Sequence, residues 1–211
     1  MYALLLMLPI LLLVARLIYF YTLQRGRPEA DVRNMRGPRR LMVILGSGGH
    51  TTEALSLLRA LDTKQYRPVT FVLAETDTTS AVRAVAAWDG MKDDMKFVKI
   101  PRSREVHQSW LSTLLTTGKA LVSAFPIVYR EKPDIILCCG PGTCVPICLV
   151  AWLFSLLFVQ RTVITFVESI CRVQTLSLTG KILYFFCDIF FVQYESLSHS
   201  WPKAVYLGRL V

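Results

Sequence analysis

Gly46-Ser47-Gly48-Gly49-His50 is the first stretch of this chain in which residue types and spacing point to chemistry. Glycines let backbone N–H groups come close to an anion, and a helix opening directly after them adds the positive end of its dipole. His50 stands at the lip of that loop, where an imidazole can accept the proton of a hydroxyl near neutral pH. A lone histidine is more often structural, and both roles stay open. Glu53, one turn on, reads as charge support for the helix N-terminus ahead of any catalytic part. Thr51 occupies the place where a dinucleotide fingerprint needs its third glycine, and the lysine of a P-loop is missing. Thr70 and Phe71 fill the region where an acidic ribose partner would stand. A phosphate or sugar-diphosphate cradle is therefore favoured over nicotinamide redox chemistry.

Three further segments can join this loop. Arg102, Ser103, Arg104, Glu105, Val106, His107 and Gln108 follow a predicted strand. Their arginine forks suit a diphosphate as well as they suit water, so a ligand loop and a solvated loop stand level; His107 reads as surface. Gly140-Pro141-Gly142-Thr143 exposes backbone before a second helix. Glu168 and Arg172 follow the next strand, with Glu168 either binding sugar hydroxyls, orienting a base, or pairing with Arg172. Cys144 and Cys148 form a helical i, i+4 pair with no histidine nearby, which does not make a metal site. The six cysteines fall in apolar contexts and read as reduced, buried thiols. Neither metal nor cofactor is expected.

The elements that must position these residues alternate between strand and helix, the pattern of a parallel sheet covered by helices. Strands are predicted at 41–45, 68–74, 96–100, 134–138, 162–167 and 188–193, with helices at 51–61, 77–88, 110–130 and 175–187. Thr51 or Thr52 is the expected cap of the first helix and Asp77 of the second. Residues 143–159 are apolar, but Pro146, their length and their place in the alternation favour a buried or membrane-dipping helix over a full span. Residues 195–201 read as a short polar segment.

Ahead of the domain, Tyr2 to Leu23 are nearly all apolar or aromatic, and as a helix they would reach roughly 33 Å, about one hydrocarbon core. Arg16 can snorkel toward the C-terminal interface of such a span. Arg25, Arg27, Arg33, Arg36, Arg39 and Arg40 come directly after it, which places the remainder on the cytosolic side. The expected organisation is a membrane anchor at 1–23, a basic linker at 24–40 and one Rossmann-like α/β domain at 41–211. A net charge of +9 calls for an anionic partner. With an anchor in place, lipid phosphates or a diphosphate-bearing substrate are favoured over nucleic acid, for which no motif is present.

GSGGHTTE, IPRSREVHQSW, LCCGPGTCVPIC, VESICRVQTLSLTGKIL and the ending VYLGRLV together resemble one family across Leu41 to Val211. It is the membrane-anchoring subunit (the asparagine-linked glycosylation protein fourteen family) of the transferase that adds a second N-acetylglucosamine to dolichol-diphosphate-N-acetylglucosamine. The resemblance implies the acceptor-binding N-terminal half of a GT-B glycosyltransferase, similar to the lipid II synthase MurG, preceded by one transmembrane helix. It implies a separate soluble donor-binding chain, of the protein thirteen family, holding UDP-N-acetylglucosamine. The activity implied is an inverting β1,4 transfer on the cytosolic face of the endoplasmic reticulum, without metal. His50 matches the histidine of the similar MurG loop and, with Glu168, is the implied catalytic pair. Gly46, Ser47, Gly48, Gly49, Thr51, Arg102, Arg104, Gly140, Gly142, Thr143 and Arg172 are the implied substrate contacts. Tyr206, Leu207, Leu210 and Val211 would dock the partner. The competing reading is a noncatalytic scaffold that only recruits that partner to the membrane.

Overall fold

The computed structural model describes residues 2–19, 22, 37–88, 92–103, 108 and 110–211. Most of the basic linker, Arg104 and His107 lie outside them. Helix α1 (Tyr2–Tyr19) precedes the domain, whose elements follow in strict alternation: β1 (Leu41–Ile44), α2 (Gly49–Arg59), β2 (Val69–Ala74), α3 (Ser80–Ala87), β3 (Met95–Ile100), α4 (Trp110–Glu131), β4 (Ile135–Cys138), α5 (Cys144–Leu156), β5 (Val163–Val167), α6 (Leu178–Leu183), β6 (Ile189–Val192), α7 (Glu195–Ser200) and β7 (Ala204–Tyr206). The seven strands form one sheet in the order β3-β2-β1-β4-β5-β6-β7, every neighbouring pair parallel.

A parallel sheet covered on both faces needs strands that are apolar on both faces, which is why β1 reads LMVI and every residue of β1 and β2 is buried. Alternate side chains then feed two cores. Met42, Ile44, Ile136, Phe166 and Phe190 meet α4, α5 and α6 on one side. Leu41, Val43, Phe71 and Leu137 meet Leu55 and Leu58 of α2 and Ala84 of α3 on the other. β3 is an edge strand carrying Lys96 and Lys99, charges that discourage further pairing.

The apolar stretch at 143–159 is α5, a core helix with Cys144, Ile147, Cys148, Val150 and Ala151 buried. Five of the six cysteines are buried as expected, while Cys171 is exposed because it lies in the turn after β5 rather than in an element. The structure adds β7, too short to carry a periodic signal, and makes the polar segment at 195–200 a helix.

α1 is 18 residues long, which at 1.5 Å per residue is roughly 27 Å. Among the described residues no helix is long and apolar enough to cross a membrane. The expected span continued to Leu23, and residues 20, 21 and 23 lie outside the described set. What the structure does show is a docking contact. The Arg16 guanidinium donates to the carbonyls of Leu156 (2.6 Å) and Ser155 (2.8 Å) at the C-terminus of α5, where a cation is favoured by the helix dipole.

Candidate functional site

Strand order reverses between β1 and β4, and in open α/β sheets the crevice beyond the strand C-termini at such a point is where ligands bind. The two glycine turns leave those two strands. Gly48 has φ +66° and Gly140 φ +80°, backbone that side chains rarely adopt. The turns also touch: a Cβ on Gly46 would lie 2.7 Å from Cβ of Pro141 and 2.9 Å from Cβ of His50. A Cβ on Gly140 would lie 2.6 Å from Cε1 of His50. The imidazole therefore rests on the Gly140 backbone, and glycine at 46 and 140 is what lets it do so.

Nδ1 of His50, itself only 2.8 Å from where a Cβ on Gly140 would stand, lies 3.2 Å from Oε2 of Glu53. The other oxygen of Glu53 accepts from the Ser169 hydroxyl (2.7 Å) and the Ile170 N–H (3.1 Å) in the loop after β5. Burial pushes the Glu53 carboxyl up, but hydrogen bonds from His50, Ser169 and Ile170 outweigh it and leave the group below the ordinary carboxylate range. Three strand ends, β1, β4 and β5, thus converge on one histidine.

The loop's shape is fixed from below. Thr51 is fully buried and its hydroxyl donates to the Gly46 carbonyl, with the Ser80 hydroxyl 2.7 Å away. Ser80 in turn donates to Asp77 Oδ2 at 2.6 Å, while Asp77 Oδ1 accepts the N–H groups of Thr79 and Ser80 at 3.1 and 3.0 Å. Asp77 thus braces the start of α3 from outside it, but the N-cap is Thr79, without a side-chain cap bond, rather than the expected Asp77. Helix α2 starts at Gly49 with Gly48 as its N-cap and no side-chain cap, contrary to the expected threonine cap. The opening turn of a helix has no internal partners for its first N–H groups, an arrangement that in other proteins receives anions. Arg83 braces the outer lip, donating to the Gly48 carbonyl (3.1 Å) and to Thr52 Oγ1 (2.6 Å).

The remaining sequence-expected residues divide. Ser47, Gly48, Gly49 and Gly142 are exposed around the crevice. Thr51 turns inward and holds the loop rather than facing a ligand. Thr143 is buried ahead of α5. Arg102 is half-buried at the end of β3, Arg172 is exposed beyond β5, and Arg104 lies outside the described residues.

Glu168 is 1% exposed, and its carboxylate accepts from the N–H groups of Ser169 (3.0 Å) and Ser177 (2.9 Å) and from the Ser177 hydroxyl (3.1 Å). A Cβ on Gly180 would collide with it. Burial raises its pKa despite those bonds. This placement makes Glu168 the tie between the β5 loop and the start of α6, which leaves the catalytic role expected for it without a contact in the crevice.

In the tail, Tyr206 and Leu207 face outward, whereas Leu210 packs on the core and its N–H donates to Gln193 Oε1 at 2.9 Å; Val211 is half-buried. Ser169, Ser80 and Arg83 were not singled out from the sequence. The one available signal was local: Glu53 lies three residues after His50, on the same helix face.

The family described as "Oligosaccharide biosynthesis protein Alg14 like" matches residues 41–210. The UDP-N-acetylglucosamine transferase subunit ALG14 of Homo sapiens is 48% identical over 179 residues, 81% of this chain and 82% of that protein. The subunit of the same name from Yarrowia lipolytica is 39% identical over 175 residues, 82% of this chain and 81% of that one. Among solved structures, Acinetobacter baumannii MurG superposes with a TM-score of 0.56 at 17% identity, over 75% of this chain and 43% of that one. A Listeria monocytogenes putative UDP-N-acetylglucosamine 2-epimerase gives 0.57 at 15% identity, over 78% and 42%. At those identities the likeness is one of fold, and the chain spans less than half the length of either solved structure.

Proposed function

Because this chain belongs to the Alg14 family of UDP-N-acetylglucosamine transferase subunits, we propose that it is the acceptor-binding half of a two-chain GT-B enzyme acting in oligosaccharide synthesis. The acceptor is dolichol-diphosphate-N-acetylglucosamine. The donor, UDP-N-acetylglucosamine, is held by a separate soluble chain of the protein thirteen family. The observation that carries this reading is the meeting of two glycine turns at the switch point with His50 between them.

In this reading the N-terminus of α2 and the exposed glycine backbone receive the acceptor's diphosphate, with Arg102, Arg104 and Arg172 as neighbouring cations. His50, through Nε2, takes the proton of the acceptor's 4-hydroxyl as that oxygen attacks the anomeric carbon. The bond from that carbon to the UDP oxygen breaks, configuration inverts, and a β1,4-linked chitobiose results. The outward Tyr206 and Leu207 of the tail receive the donor-binding chain.

We place the chain in the endoplasmic reticulum membrane with its domain cytosolic. The apolar sequence run from Tyr2 to Leu23 supports this, as does the outer side of α4, where Leu115, Val122, Phe125 and Tyr129 are exposed beside Lys119 and Arg130. Transfer of radiolabelled N-acetylglucosamine to the dolichol-linked acceptor, with this chain, its partner, or both, is the test. Turnover only with both chains, lost in His50→Ala, is expected. Full turnover by the partner fused to an unrelated anchor would instead establish a recruiting scaffold.

A further inference from the structure

Glu53 has two carboxylate oxygens with two different jobs. Oε1 is fully engaged by the β5 loop through Ser169 and Ile170, and Oε2 faces Nδ1 of His50 at 3.2 Å. The residue is only 9% exposed. The dipole explanation for such a glutamate does not hold here, because α2 begins at Gly49 and has no acidic residue in its first turn. The field of the helix end falls off within that turn. Something else must compensate a carboxylate held away from water, and the hydrogen bonds to it are what the structure supplies.

An ionised carboxylate only accepts hydrogen bonds, so the contact with His50 requires the imidazole proton to sit on Nδ1. The lowered proton affinity of Glu53 keeps it in that ionised form at neutral pH. Nε2 is then the nitrogen that carries the lone pair. The ring is held from behind as well, since its Cε1 edge lies against the Gly140 backbone and its Cβ against the Gly46 turn. Orientation, tautomer and a fixed negative charge beside the ring are what a general base needs from its neighbour.

We propose that Glu53 is the positioning residue of His50, fixing the imidazole with its free Nε2 toward the acceptor, and that Ser169 and the Ile170 N–H hold Glu53 in place for this. The inference rests on the reading of His50 as the base. During transfer the proton leaves the acceptor hydroxyl for Nε2, Nδ1 keeps its own, and the resulting imidazolium is stabilised by the Glu53 carboxylate, which stays ionised.

The test uses the complete two-chain complex in lipid nanodiscs, with the 15N-histidine label in this chain alone, as wild type, Glu53→Gln, Ser169→Ala and His50→Ala. Loss of the His50 signal in the last variant assigns it among the three histidines. Glu53→Gln is expected to lower kcat roughly 10- to 100-fold with the KM for acceptor and donor within about twofold, as for other outer partners of working imidazoles. It is also expected to move the His50 15N shifts away from the Nδ1–H tautomer. Ser169→Ala, which leaves both His50 and Glu53 intact, should reduce kcat several-fold in the same direction. An unmoved tautomer in Glu53→Gln overturns the positioning role even where His50→Ala is inactive. Full activity of His50→Ala overturns the base reading instead, and the two failures are separately visible.

Discussion

Gly140 and Glu168 show at the scale of single residues how the same physical test sorts working groups from supporting ones. A methyl at 140 would have to share space with the His50 ring, and φ +80° adds backbone strain of about 1–2 kcal/mol for a non-glycine residue. Gly140→Ala is therefore expected to reduce turnover at least tenfold while the proposed complex still assembles, measured by the transfer assay beside co-purification with the proposed donor-binding chain. Glu168→Ala should do the reverse. It strands the N–H groups of Ser169 and Ser177, a loss of about 1–3 kcal/mol per unsatisfied buried group. Its melting temperature should fall, with turnover per folded complex preserved.

Acid stability separates the carboxylates by sign. Glu53 and Asp77 are both pushed up by burial and pulled further down by hydrogen bonds, so each binds its proton less tightly folded than unfolded. Their contribution is complete above about pH 4, the ordinary carboxylate value, and fades as pH falls through their lowered values. Glu168, raised by burial, has the opposite sign: its relative stabilisation is present at the acid end and lost as pH rises through its elevated value. Asp77→Asn should therefore flatten the decline in denaturant midpoint between about pH 5 and pH 2, compared with wild type.

At the scale of elements, the sheet was legible because burial on both faces writes itself as uninterrupted apolar runs such as LMVI and VTFVLA. The two glycine turns were legible because they follow such runs directly. What the sequence withheld was three-dimensional pairing: nothing local announces that Ser169 would reach back to Glu53 over 116 positions, or that Thr51 would turn inward to the Gly46 carbonyl. Short elements escaped for a different reason, since the three residues of β7 hold too little of any period to be read. The centre of the sheet makes the energetic point. Phe166 is fully buried and stacks on Phe190 with centroids 5.0 Å apart. Phe166→Ala should cost about 3–5 kcal/mol, and lower the melting temperature by roughly 10 °C, checked by calorimetry.

For the molecule as a whole, where α1 joins the domain bears on how the site would meet a bilayer in the proposed membrane placement. α5 starts beside the Gly140 turn and runs back to the opposite edge of the sheet, and it is at that far end, on Ser155 and Leu156, that Arg16 docks. A domain standing upright on α1 would hold its crevice away from the headgroups by the height of the sheet. α4 runs the same way over 22 residues, roughly 33 Å, and its outer side is the one with Leu115, Val122, Phe125 and Tyr129. Phe125 and Tyr129 also contact Phe154 near the end of α5, with centroids 5.8 and 6.4 Å apart, so this side continues toward the α1 contact. On the membrane placement proposed above, resting on α4 would bring the glycine turns down to the bilayer surface, where the proposed lipid-borne diphosphate would lie. Leu115→Glu with Val122→Glu should then lower turnover on the membrane-embedded dolichol acceptor about tenfold or more, because two carboxylates are driven against the bilayer. Turnover on a short-chain, water-soluble acceptor should stay within about twofold. Equal loss on both acceptors would mean that the face packs against protein, and equal retention that the domain stands clear of the lipid.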